Sequence, residues 1–303
     1  MTVEGQTRHI TVGVLALQGA FSEHVQLLRR ASDILKNRGV DNLEWRFIEV
    51  RTPEQLAQCD ALILPGGEST TISLVAARSG LLEPLREFVK YCYPISSRAE
   101  QCHILTHHRV HRKPTWGTCA GLILLSESAN RTKKGGQELI GGLDVRVNRN
   151  HFGRQVESFE ANLDLPFLAQ ASVEDSKQPF HSVFIRAPVV EKVLPHKEGI
   201  QAEEAGKEGT VVAPARVPVD EVARQDFDAE VEVMARLPGH AKTLTDDEAT
   251  ARSTGEEGDI IAVRQGNVFG TSFHPELTGD ARIHVWWLEQ VLAAIDRREQ
   301  AQR

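Results

Sequence analysis

Short apolar runs alternate with amphipathic stretches along the first half of the chain. Ile10 to Leu17 (ITVGVLAL) is unbroken and rich in β-branched residues, the pattern of a strand covered on both faces. Gln18-Gly19-Ala20 interrupts it. Apolar positions at Phe21, Val25, Leu28, Ile34 and Leu35 then follow a helical period as far as Lys36, with Gly39 as the stop. Trp45 to Val50 predicts a second strand, and Thr52-Pro53-Glu54 opens a short helix with a cap and a first-turn proline. Ala61 to Leu64 predicts a third strand, before Pro65-Gly66-Gly67-Glu68-Ser69. A helix through Ile72, Leu74, Val75 and Ala76 ends at Gly80, and Leu81 to Val89 adds further helical turns. Thr115 to Ser126 (TWGTCAGLILLS) repeats the strand–turn–helix pattern. Such alternation predicts an α/β fold with three layers: a doubly wound, mainly parallel sheet carrying its ligands beyond the carboxyl ends of the strands.

From Ile140 the pattern changes to Gly-rich turns between shorter segments: Leu143 to Val147, Glu157 to Ala161 and Ser182 to Ile185. These predict a mixed or antiparallel portion of the sheet. Ile260 to Val263 and Val268 to Phe273 predict a hairpin around Gln265-Gly266-Asn267, and Ala281 to Ile295 a closing helix. The reading is one domain over residues 8–298, with insertions at about 91–113 and 191–259. Tyr91 to Lys113 has no apolar period and reads as a surface loop. Glu191 to Asp259 is rich in Glu, Ala, Gly, Pro and Lys; partial disorder is expected at Gln201 to Gly209 and Thr243 to Gly258, with a strand at Val231 to Ala235.

Composition removes several function classes. A formal net charge of −7 gives no support for a nucleic-acid surface and argues against an anionic membrane as partner. Cys59, Cys92, Cys102 and Cys119 form no C-x-x-C pair, so a zinc site is not signalled and reduced thiols are expected. His107 and His111 would share a helix face, but that spacing is common by chance, and no metal is expected. The polar N-terminus lacks the pattern of a secretory signal, and no run reaches about 18 apolar residues. A cytoplasmic location is expected.

Three motifs carry candidate chemistry. Gly117-Thr118-Cys119-Ala120-Gly121 is a G-x-C-x-G, analogous to the elbow that lifts a nucleophile above a sheet and sets it at a helix N-terminus. His274-Pro275-Glu276 follows a strand; two residues apart in extended chain, His274 would take the Cys119 proton while Glu276 orients the imidazole. The adjacent glycines of Pro65-Gly66-Gly67-Glu68-Ser69 suit an oxyanion hole. Each motif has a structural alternative: a buried cysteine in a Gly-rich turn, a surface turn, and an ordinary βα turn with a Ser/Thr cap.

Taken together, these residues resemble the class I, triad-type glutamine amidotransferases. GVLALQGA at 13–20, LILPGGESTT at 62–71, GTCAGL at 117–122, RNHFGRQVESF at 149–159, VFIRAP at 183–188 and SFHPELT at 272–278 resemble most closely the glutaminase subunits of pyridoxal 5′-phosphate synthase, the PdxT/SNO family. The resemblance implies Cys119, His274 and Glu276 as the triad, and backbone N–H groups of Gly67 and Ala120 as the oxyanion hole. It implies a glutamine site at Gly67, Glu68, Ser69, Arg149, Ile185 and Arg186. An arginine would pair with the substrate carboxylate and Glu68 with its ammonium. Gln18 would lie in a loop near the synthase interface that shapes the hole. The implied activity is hydrolysis of L-glutamine to glutamate and ammonia, delivered to a separate synthase subunit, with no cofactor. Three alternatives stay open: a glutaminase serving another synthase, a non-catalytic regulatory subunit of the same fold, and a cysteine peptidase.

Overall fold

The computed structural model describes residues 7–40, 42–90, 112–130, 137–149, 158–169, 178–195, 200–214, 229–238 and 258–301. Strand β1 (Arg8–Leu15) leads into α1 (Phe21–Asn37), and the chain returns as β2 (Leu43–Val50). A capping box starts α2 (Pro53–Ala57): Thr52 Oγ1 accepts from the Gln55 N–H, and Gln55 Oε1 accepts from the Thr52 N–H. Strand β3 (Ala61–Leu64), α3 (Ser69–Arg78) and α4 (Leu82–Lys90) follow. Next come β4 (Thr115–Thr118), α5 (Ala120–Leu125) and β5 (Ser126–Asn130), with Cys119 between the first two. The remaining elements are β6 (Leu143–Asn148), β7 (Ser158–Leu163), α6 (Pro166–Ala169), β8 (Phe180–Ile185), β9 (Val189–Val193), α7 (Ile200–Ala205), β10 (Thr210–Val212) and β11 (Glu232–Leu237). The hairpin β12 (Asp259–Gln265) and β13 (Val268–Thr271), a 3-10 turn Pro275–Leu277, and α8 (Arg282–Ala301) close the chain.

The main sheet runs β10-β5-β6-β9-β12-β13-β4-β3-β1-β2, and β11 also pairs with β12. From β2 to β13 all neighbours are parallel; from β12 onward the pairs are antiparallel except β5 with β6. The expected α/β class with an antiparallel portion is therefore present. Strand β3 explains why its sequence is uniformly apolar. Ala61 and Ile63 enter the core beneath α1 and α8, while Leu62 and Leu64 enter the one beneath α2 to α5.

Two readings need correction. Strands β7 and β8 form a separate two-stranded ribbon, not part of the main sheet. The stretch 201–209, expected to lack order, contains most of α7. Two of its polar residues bond other segments instead of facing water: Glu204, 3% exposed, accepts from Ser128 Oγ at 3.0 Å and Arg146 Nη1 at 2.9 Å. Gln201 Nε2 donates to Glu127 Oε2 at 3.1 Å. The strand expected near Val231 is β11. Residues 91–111 and 243–257, with His107, His111, Cys92 and Cys102, lie outside the described residues.

The described residues on either side of 91–111 are in contact. Arg112 Nε donates to Val89 O at 3.3 Å, and the same guanidinium bonds Gly142 O. Beside it Lys90 pairs with Glu127 at 2.6 Å, both almost fully buried, and donates to Pro214 O at 3.1 Å. Glu127 also accepts the Gly142 N–H at 2.7 Å, so the buried charges are matched by hydrogen bonds.

Candidate active site

Cys119 sits at the tip of a sharp strand-to-helix turn, with φ 48° and ψ −101°. A non-glycine residue held there costs on the order of 1–3 kcal/mol and persists only where its surroundings enforce it. The Cys119 N–H donates to Thr271 O at 2.8 Å. The flanking glycines are required by close approach. A methyl on Gly117 would lie 2.7 Å from Leu125 Cδ1 and closer to the Gly121 backbone; one on Gly121 would lie 2.9 Å from Leu64 C and closer to its oxygen. The G-x-C-x-G spacing thus lets β3, β4 and α5 converge under the thiol.

His274 arrives from the neighbouring strand. Strands β4 and β13 are parallel and in register, pairing Thr118 with Thr271. The His274 N–H donates to Val183 O at 2.8 Å, tying it to β8. His274 Nδ1 bonds Glu276 Oε1 at 2.7 Å. The contact is the expected one, but its route differs. Glu276 lies in the 3-10 turn Pro275–Leu277, and the turn, not extended alternation, brings the carboxylate back to the ring. Burial alone would lower the His274 pKa. Hydrogen bonds and charge from Cys119 and Glu276 outweigh it and push the imidazole up to about 10. Nδ1 is committed to Glu276, which leaves Nε2 for the thiol. For Glu276 burial works upward, and the two histidines facing it, His24 and His274, bring it below the usual carboxylate range.

The Pro65–Ser69 loop lies against this pair. A methyl on Gly66 would come within 2.8 Å of His274 Nδ1 and closer still to Cε1, so the bare glycine seats the ring. Gly67 has φ 151° and packs against Gln18, whose Oε1 accepts the Glu68 N–H at 2.9 Å. Gln18 therefore anchors this loop. Glu68, not a Ser/Thr residue, caps α3: its carboxylate accepts from Thr70 N at 3.2 Å and Thr71 N at 2.6 Å.

Arg149 is 8% exposed; burial lowers its pKa to about 10, and the Glu68 carboxylate works in the opposite direction. Its guanidinium bonds Gln137 Oε1, which also accepts from Thr70 Oγ1 at 3.1 Å and Ser69 Oγ at 3.4 Å. Ser69, Glu68 and Arg149 are thereby brought to one place, with Gln137 as the link the sequence reading missed. Ile185 is on the thiol side: Cys119 Sγ lies 3.9 Å from its carbonyl oxygen. Arg186 follows at φ 43° and is exposed. Ala120 is the first residue of α5, directly after the thiol.

Two buried histidines behind Glu276 were also missed. His24 on α1 and His284 on α8 are both fully buried, with His24 Nδ1 3.0 Å from His284 Nε2. The available signal was positional: His24 falls within the apolar stripe of Phe21, Val25 and Leu28. Among the described residues no group of three His, Cys, Asp or Glu is arranged to hold a metal ion, and no helix is long and apolar enough to cross a membrane.

Comparison with known proteins agrees with this geometry. A probable pyridoxal 5′-phosphate synthase subunit PDX2 of Arabidopsis thaliana is 39% identical over 280 residues, covering 92% of this chain and 85% of that protein. The pyridoxal 5′-phosphate synthase subunit PdxT of Herpetosiphon aurantiacus is 38% identical over 279 residues, covering 92% and 99%. A solved structure described as a glutamine amidotransferase superposes with a TM-score of 0.54 at 34% identity, over 92% of this chain and 98% of that one. The family model matches residues 14–219 and 218–293, so the elbow, the His-x-Glu turn and the strands between them all fall inside it. With its G-x-C-x-G elbow, its paired imidazole and carboxylate, and these matches over most of its length, the chain belongs to the SNO glutamine amidotransferase family.

Proposed function

We propose that this chain is the glutaminase subunit of a pyridoxal 5′-phosphate synthase, hydrolysing L-glutamine through Cys119, His274 and Glu276 and passing ammonia to a synthase subunit. The observation that carries the reading is the His274 ring bonded to Glu276, with Cys119 near enough to raise its pKa, at the carboxyl ends of two paired strands. The Cys119 sulfur, as thiolate, attacks the side-chain carbonyl carbon of glutamine. The oxyanion is met by the backbone N–H groups of Gly67 and Ala120. The imidazolium of His274 gives its proton to the departing nitrogen, releasing ammonia and leaving a glutamyl thioester. Water then attacks, His274 takes its proton, and the C–S bond breaks to give glutamate and free Cys119. Glu276 keeps the ring oriented and balances the imidazolium.

Arg149 pairs with the substrate α-carboxylate, and Arg186, beside Ile185, flanks it. Glu68 keeps capping α3 while its carboxylate accepts from the α-ammonium, and Ser69 completes that wall. Gln18 holds the oxyanion loop, where the synthase docks. Action in the cytoplasm, as part of a hetero-oligomer, follows from this role. The test is glutamate release from glutamine with and without a pyridoxal 5′-phosphate synthase subunit, in wild type and Cys119→Ala. Release that rises with the synthase and disappears in Cys119→Ala is the expected result. Release that persists in Cys119→Ala would overturn the reading.

A further inference from the structure

Glu276 has two carboxylate oxygens and the triad uses one. Oε1 takes His274 Nδ1 at 2.7 Å. Oε2 is buried and has no hydrogen-bond partner among the described residues; His24 Nε2 approaches it to 3.4 Å, close enough to complete one with a small shift. His24 Nε2 also lies 3.3 Å from Thr118 Oγ1, one residue before the nucleophile. Its other nitrogen, Nδ1, is 3.0 Å from His284 Nε2, and His284 Nδ1 has no hydrogen-bond partner among the described residues.

These contacts fix the tautomers. One proton lies between the two histidines. If His24 Nδ1 carried it, His284 would bear its own proton on Nδ1, a buried donor with nothing to receive it. His24 Nε2 would then turn a lone pair on the Glu276 carboxylate. If His284 Nε2 carries the proton instead, both faults vanish. His284 Nδ1 becomes a bare nitrogen, and His24 presents Nε2–H to Glu276 Oε2 and Thr118 Oγ1. Burial lowers the pKa of both rings, so the pair stays neutral beside the charged triad. Trp116 meets each ring edge-on, at 5.6 Å for His24 and 5.0 Å for His284, and keeps water away from both.

We propose that His24 is a positioning residue of the triad: His284 locks its tautomer, and its Nε2–H fixes the second oxygen of Glu276, and through it the His274 ring. The proposal rests on the triad assignment under Proposed function. A histidine that merely filled the core would matter for stability alone. A positioning histidine must matter for turnover, and must act through Glu276.

The experiment uses the full chain with the synthase subunit present, reading kcat and KM for glutamate release beside thermal unfolding. In His24→Leu, kcat should fall roughly tenfold or more, as expected for one lost bond to a charged group, with KM little changed. His24→Gln, whose amide N–H reaches the Nε2 position, should recover most of the rate. His24→Asn, whose amide reaches only the Nδ1 side, should not. In a Glu276→Gln background, His24→Leu should add no further loss. His284→Leu should lower kcat in the same direction, by less. If His24→Leu does not fold, the Gln and Asn pair decides. A kcat in His24→Leu within about threefold of wild type, equal rates in the Gln and Asn variants, or a full additional loss beside Glu276→Gln would overturn the proposal. Where Cys119→Ala is inactive, such results count against His24 alone. Activity in Cys119→Ala would overturn both readings.

Discussion

Gly66→Ala isolates what the glycine beneath the His274 ring contributes. The new methyl would lie 2.8 Å from His274 Nδ1 and closer to Cε1, whereas ordinary contacts between such atoms are about 3.5–4.0 Å. The ring must therefore retreat by on the order of 1 Å. It is held by a 2.7 Å bond to Glu276 and stands beside Cys119, and a shift of that size disturbs its placement against both. Misplacement of a reacting group by about 1 Å costs roughly a hundredfold in rate, or about 2.7 kcal/mol of barrier. Overpacking of this kind costs stability about 1–3 kcal/mol, so a cooperative unfolding transition should survive. The assay is kcat/KM for glutamate release, together with the rate of Cys119 alkylation by iodoacetamide, which needs no oxyanion hole. Both rates should change in Gly66→Ala. Turnover within about threefold of wild type would refute the seating of His274 on Gly66. Lost turnover with unchanged alkylation would place the damage in the oxyanion loop instead.

Two further outcomes follow from particular contacts. His274 binds its proton more tightly in the folded chain, at about 10, than at its ordinary 6.5, so the stability it contributes is complete below 6.5 and is lost as the pH rises through 10. Urea unfolding across that window should show a decline that Cys119→Ser, lacking the largest raising contribution, reduces; an identical decline in Cys119→Ser would refute the assignment. Replacing residues 91–111 by a short Gly-Ser linker should leave glutamate release and the unfolding midpoint nearly unchanged, because Val89 and Arg112 are already in contact. Loss of activity in a folded deletion variant would give that segment a part in the site.

Legibility in the sequence followed how local each cause was. Strands β1 to β4 and the helices between them were readable because their periods reflect burial on one or two faces of the sheet. The elbow was readable because Gly117 and Gly121 answer to steric contacts at fixed spacing. Helix α7 was not, since its Glu204 and Gln201 are held by Ser128, Arg146 and Glu127 from distant segments. Such residues look solvated until their partners are known. The β7–β8 ribbon was placed in the wrong sheet because alternation gives a strand but not its neighbour. Gln137 and the two histidines carried too little local pattern to be assigned a role. Each acquires one only where chain far apart in sequence converges: Gln137 between Ser69 and Arg149, and His24 between Glu276 and His284.

The pairing of β4 with β13 bears on how this chain can vary. Thr118 stands opposite Thr271, one residue before Cys119 on one strand and three before His274 on the other. The separation of thiol and imidazole is thus measured across a single sheet rung, about 4.8 Å, and not along the polypeptide that joins them. That intervening chain carries the mixed half of the sheet and the 191–259 stretch, yet its length does not enter the distance between the two side chains. The same arrangement has one point of fragility. A slip of one residue in β13 would turn its outward side chains inward and carry His274 away from the sulfur. Length can change freely between the two strands, whereas a single insertion inside Val268–Thr271 would leave a folded chain with no working active site.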